Sequence, residues 1–128
     1  GSAVYLQYSY VRINSIMEKL KEAFGEIDLG KLEMNDISFV NKSEFELAKK
    51  LMAFPDVIVK AQETDSPNHI CGYLEELASL FNSFYNETSI IRTEDVKLRE
   101  SRIALIKGVS MVIKKGLSMM SIKVPEKM

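Results

Sequence analysis

Chemistry in this sequence is concentrated near its start. Tyr5, Tyr8, Arg12, Ser15 and Lys19 recur at three- and four-residue steps. On a helical wheel they gather on one side. Leu6, Tyr10, Ile13, Met17, Leu20 and Phe24 fall within roughly 60° of Ile13 on the other. Tyr8 and Arg12 stand one turn apart, so their side chains are neighbours. An aromatic ring or a guanidinium plane stacks on an unpaired base, worth ~1–3 kcal/mol per base. Arginine also donates paired hydrogen bonds to a base edge or a phosphate. Single-stranded RNA loops are read in this way. The same face could instead pack on another helix of the fold or on a neighbouring domain.

Other chemistry is poorly supplied. His69 is the one histidine and Cys71 the one cysteine, so neither a histidine–cysteine metal cluster nor an internal disulfide can form from them. His69 reads as a residue of a helix surface or partly buried packing, and Cys71 as a small core residue. Gly25 and Gly30 precede no phosphate-loop pattern. Glu75 and Glu76 are adjacent, so on a helix they diverge onto a solvated face. No catalytic residue, cofactor site or metal site is expected.

The elements that must position the tyrosine–arginine face are helical. The first helix runs to Phe24, with Gly25 as its stop. Residues 25–42 read as a loop or short helix. Ser43 to Glu46 matches a capping box, opening a helix that reaches about Phe54 and is stopped by Pro55. Asp56 caps a short helix containing Val57, Ile58 and Ala61. Ser66-Pro67 starts a long helix burying Ile70, Tyr73, Leu74, Leu77, Phe81 and Phe84. Thr93, with Glu94 and Asp95 in the first turn, starts another whose stripe is Ile106, Val109, Ile113, Leu117 and Met120. Residues 121–128, with Pro125, read as extended. No run alternates at period two, so the predicted class is all-α, one bundle of about five helices.

The length of 128 residues suits one domain, and 46% apolar residues can fill its core. Uncharged apolar runs fall far short of the ~20 residues of a spanning helix, and no secretory leader pattern opens the chain. A cytoplasmic location is expected, with no membrane partner. Gly1-Ser2 reads as a remnant of tag removal, leaving residues 3–128 as the domain. Net charge is −1, unevenly placed. Residues 1–91 hold 8 basic and 14 acidic side chains, whereas residues 92–128 hold 9 basic and 4 acidic. That asymmetry permits a local basic surface near the C-terminus.

Several segments resemble the anticodon-binding domain of arginyl-tRNA synthetases, the DALR type. The opening Ala3-Val4-Tyr5-Leu6-Gln7-Tyr8-Ser9-Tyr10-Val11-Arg12-Ile13 is similar to that domain's first segment. Phe54-Pro55-Asp56-Val57 resembles its phenylalanine–proline turn. Residues 73–78 and the run Phe81-Asn82-Ser83-Phe84-Tyr85 resemble its central helix. Residues 102–106 and Gly116-Leu117 resemble its last helix, and Pro125-Glu126-Lys127-Met128 its close. Together these cover residues 3–128. Ser9 and Tyr10 depart mildly from the usual alanine and histidine, and Ser89 stands where some relatives place a large aromatic.

The resemblance implies the helical bundle shared by several class I synthetases. It implies binding of the tRNA(Arg) anticodon loop, in support of ATP-dependent arginylation by a Rossmann-type catalytic domain absent from this chain. ATP belongs to that absent domain, and DNA is not an expected partner. Tyr8 and Arg12 match the first-helix pair near the central anticodon base, Met128 a terminal methionine of the same pocket, and Tyr85 a tyrosine near the anticodon stem-loop. Tyr5, Asn82, Lys114, Lys115, Lys123 and Lys127 are possible supporting residues. Two rival functions are the anticodon domain of another class I synthetase, such as the cysteinyl enzyme, and a helical protein-docking module.

Overall fold

The structure is a computed structural model describing residues 2–31, 38–64 and 68–120. Among the described residues every regular element is helical, as the apolar spacing predicts. The helices are α1 (Ser2–Phe24), α2 (Lys42–Met52), α3 (Phe54–Thr64), α4 (Asn68–Glu87) and α5 (Val96–Met119), with a short 3-10 turn at Leu29–Lys31.

The 3.6-residue stripes become one core. Leu6, Ile13, Leu47, Leu74, Leu77, Phe81, Phe84, Ile106, Val109, Ile113 and Leu117 are fully buried. A buried leucine or phenylalanine contributes roughly 1.5–3 kcal/mol, so these side chains supply the main drive to fold. Tyr10, Met17, Phe24 and Met120 pack at the core's margin. α4 lies in the middle, touching α1, α2, α3 and α5. Ser2 Oγ donates to Glu75, and Arg12 reaches Asn82, so α1 and α4 run the same way. Arg99 lies over the Phe24 ring, 3.8 Å from its centroid, while Gly116 lies against Leu74. α5 therefore runs back, its C-terminal half beside the first half of α1.

Gly25 ends α1 as expected. Its φ is +77°, a left-handed conformation that a Cβ disfavours, and its amide donates to the Lys21 carbonyl at 2.7 Å. Three other boundaries differ from the sequence reading. The cap of α2 is Asn41, whose side chain accepts from the Glu44 amide at 2.9 Å. Ser43 only supports it, donating to Asn41 Oδ1. The carboxylate reaching back is Glu44, which accepts from the Val40 amide at 2.9 Å. Pro55 does not end α2: that helix closes at Met52 with Ala53 as C-cap, and Ala53's carbonyl accepts from Val57. Pro55 and Asp56 both sit in the first turn of α3, where proline's missing amide leaves no bond unmade. The cap of α5 is Asp95, accepting from Leu98 at 2.9 Å, rather than Thr93.

Thr93 and Glu44 are diverted to a buried polar cluster. Glu44 is 1% exposed and forms an ion pair with Arg102. Arg102 Nε donates to Glu44 at 2.6 Å and its NH1 to Thr93 Oγ1 at 2.9 Å. These bonds tie α2 to α5 and to the turn before α5. Cys71 is half-buried rather than in the core, its thiol donating to Glu75 Oε1 at 3.3 Å. His69, Glu75 and Glu76 are exposed, as expected. Ser66-Pro67 and residues 121–128 lie outside the described residues.

Two predictions follow the polar contacts. Removing one partner of a buried ion pair typically costs about 3–5 kcal/mol. Glu44→Ala should therefore lose about 3 kcal/mol in urea unfolding; a change below the error of that measurement would show the pair to be dispensable. Tyr73 is buried and donates its hydroxyl to the Lys50 carbonyl at 2.7 Å. Burial pushes its phenol up to about 12 from 10.0. The folded state thus holds this proton more tightly than the unfolded chain. The resulting stability is present below about pH 10 and is lost as pH rises toward about 12. Thermal melts of Tyr73→Phe across that window should fall less steeply with pH than those of the parent chain.

Candidate nucleic-acid interface

The wheel explains how the first-helix face is divided. Tyr5 and Arg12 lie about 80° and 100° round from Ile13, while Tyr8 lies about 140° round. The first two therefore border the neighbouring helix, and Tyr8 stands clear. In the structure Tyr8 is 58% exposed and Tyr5 39%. Arg12 is half-buried because its side chain lies down across α4 instead of reaching into solvent. That is a correction to the expectation of an arginine facing wholly away from the core.

The groove between α1 and α4 holds four of the candidate residues together. Arg12 NH1 donates to Asn82 Oδ1 at 2.5 Å. Asn82 Nδ2 donates to the Tyr5 hydroxyl at 3.0 Å. The Arg12 guanidinium lies 5.4 Å from the Tyr85 ring centroid and 6.0 Å from that of Phe81. Those two rings are stacked, 5.8 Å apart with 16° between their planes. Phe81 and Tyr85 are one turn apart on α4, so this platform follows from helical spacing. Sequence reading placed Phe81 only in the core; its four-residue separation from Tyr85 was the signal for its second role.

Among the described residues Arg12's partners are an amide and two aromatic rings. A guanidinium over a ring gains about 0.5–2 kcal/mol, and neither contact neutralises its charge. The positive charge thus stays available to an anion beside an exposed tyrosine. Lys114 and Lys115 are exposed on the half of α5 that runs beside the start of α1. Met128, Lys123 and Lys127 lie outside the described residues.

Alternative chemistry gains nothing from the geometry. Among the described residues, no three histidine, cysteine or carboxylate side chains are placed to hold a metal ion. No helix of the described residues is long and apolar enough to cross a membrane. Burial, then the bond and charge of Glu75, pushes the Cys71 thiol up, opposite to the shift that makes a reactive thiolate. The hydroxyl of Ser2, then the Cys71 thiol, holds the exposed Glu75 carboxyl below its usual value.

The chain is similar to proteins of one family. Residues 6–128 match the family model described as the DALR anticodon binding domain. The chain is 41% identical over 124 residues to an arginine–tRNA ligase of Clostridium beijerinckii, covering 97% of this chain and 21% of that protein. It is 41% identical over 128 residues to an arginine–tRNA ligase of Thermococcus kodakarensis, covering 99% of this chain and 20% of that protein. It superposes on arginyl-tRNA synthetase of Thermus thermophilus with a TM-score of 0.78 at 29% identity, covering 97% of this chain and 21% of that one. A protein described as a putative arginyl-tRNA synthetase from Campylobacter jejuni gives a TM-score of 0.83 at 26% identity, over 99% of this chain and 26% of that one. The chain thus spans about a fifth of the length of the curated relatives it matches. With the family model matched over residues 6–128 and arginine–tRNA ligases matched over nearly the whole chain, the chain belongs to the DALR anticodon-binding domain family, as that domain occurs in arginine–tRNA ligases.

Proposed function

We propose that this chain binds the anticodon loop of tRNA(Arg) and so supports ATP-dependent arginylation by a Rossmann-type catalytic domain of a longer polypeptide. The domain needs no cofactor or metal for this and acts in the cytoplasm; ATP is used by the catalytic part. The observation that carries the reading is the Arg12 charge, held by neutral groups one helical turn along α1 from the exposed Tyr8.

In this mechanism the loop unstacks and its central cytosine enters beside α1. Tyr8 stacks on the base, Met128 gives apolar contact, and Arg12 donates to the base edge or an adjoining phosphate. Tyr85 holds the guanidinium over its ring and flanks the stem-loop. Lys114, Lys115, Lys123 and Lys127 add attraction to phosphates, which positions the loop without reading its sequence. The names of the relatives favour arginine over the cysteinyl alternative.

Loss of one charge-assisted bond costs about 1.5–3 kcal/mol, so Arg12→Ala should weaken tRNA(Arg) binding by about 10- to 150-fold with unchanged circular dichroism. Equal affinity of the folded variant would reject the pocket. Lys114→Ala combined with Lys115→Ala should lower the slope of log affinity against log salt by about 2 while leaving anticodon preference intact. A lost preference at unchanged slope would remove the lysines from phosphate contact.

A further inference from the structure

A second groove lies across the bundle from the tyrosine–arginine face. α1 and α2 each pack on both α4 and α5, so the α1–α4 groove and the α2–α5 groove are opposite edges of the four-helix cross-section. The α2–α5 groove has a volume of about 290 Å³. Phe39, Ala48, Leu51, Met52, Ala104 and Leu105 give it apolar walls. Phe39 is 47% exposed and Met52 75%. Its polar lining is engaged within the chain. The charges of Glu44 and Arg102 neutralise one another, and Ser101 Oγ accepts from the Ser38 amide at 3.2 Å. Small-molecule sites are pockets of about 300–1,000 Å³ with a few free polar groups that orient the ligand. This groove sits at the bottom of that range and lacks an unpaired charge. Its chemistry suits large apolar side chains presented by another protein surface, with methionine adapting to their shape.

We infer that the α2–α5 groove is the docking surface for the rest of a longer polypeptide, which lays an apolar ridge against Phe39, Met52 and Leu105. This rests on that part of the reading above which joins the chain to a catalytic part. Two arguments select this occupant. The matched region is only 21% and 20% of two curated relatives, so most of each lies outside it. Stable complexes of free partners bury about 1,200–2,000 Å², an area that so small a groove supplies only in part. A linked part needs less, because a short tether holds it at millimolar effective concentration. Docking at this edge leaves Tyr8 and Arg12, at the opposite edge, open to RNA.

Methionine oxidation by dilute peroxide, mapped by mass spectrometry, tests this in the chain alone and in the longer polypeptide. Met111 is the reference, being 60% exposed and outside the groove. Both methionines should oxidise readily in the chain alone. In the longer polypeptide Met52 should slow roughly tenfold while Met111 keeps its rate. Ala104→Arg places a charge in the groove. It should restore the Met52 rate in the longer polypeptide and leave the melting temperature of the chain alone unchanged. If it lowers that temperature, Phe39→Asp, at an exposed residue, takes its place. An equal Met52 rate in both forms overturns the inference, and so does protection that the substitution does not relieve. Protection already present in the chain alone, and lost on dilution, assigns the groove to a second copy and overturns it also. Arg12→Ala, which tests the anticodon pocket, should leave the Met52 rate unchanged, so the two readings fail separately.

Discussion

The packing of α4 constrains everything else. Its Leu74, Leu77, Ala78, Phe81 and Phe84 are fully buried, and four other helices lean on it. Between its buried stripe and its exposed face, α4 carries part-buried polar groups at the margins. Asn82 and Tyr85 occupy the margin that meets α1, and there they receive Arg12. The same apolar contacts that stabilise the fold therefore fix the one arginine on which the site depends. Phe81 joins the two roles, with its ring in the core and its stacked partner Tyr85 under the guanidinium.

This arrangement suits a surface that receives RNA. A free arginine side chain carries about 2 kcal/mol of rotamer entropy, which a ligand would have to offset. Here the bond to Asn82 and the two rings have already restricted it. Its charge is retained because those contacts are neutral. The buried ion pair between Glu44 and Arg102 makes the contrast clear. There the charge is neutralised, and the contact ties α2 to α5. Both arginines are half-buried, but only one keeps its charge available to an anion.

Much of this was legible in the sequence, because apolar spacing reports which side of a helix meets the core. The stripes of α1, α4 and α5 fall where the wheel places them, and Gly25 stops α1. Two of the misplaced boundaries, the starts of α2 and α5, adjoin one polar cluster. Asn41 and Ser43 were both able to cap α2, as Thr93 and Asp95 were for α5. At each start Arg102 engages a neighbouring residue, Glu44 from 58 positions away and Thr93 from 9. Local preference carries no information about that contact. Periodicity likewise revealed a tyrosine–arginine face but not its neighbour. The bond from Arg12 to Asn82 spans 70 residues, and only the packing of α1 on α4 brings the two together. The proposed purpose of the face comes from the resemblance; the direction of its hydrogen bonds comes from the geometry.

The most direct measurement is a chemical footprint of tRNA(Arg) with and without this chain. The account predicts protection centred on the anticodon loop, strongest at its middle base and lost when that base is changed. Protection spread evenly along the backbone, or confined to the acceptor arm, would contradict it.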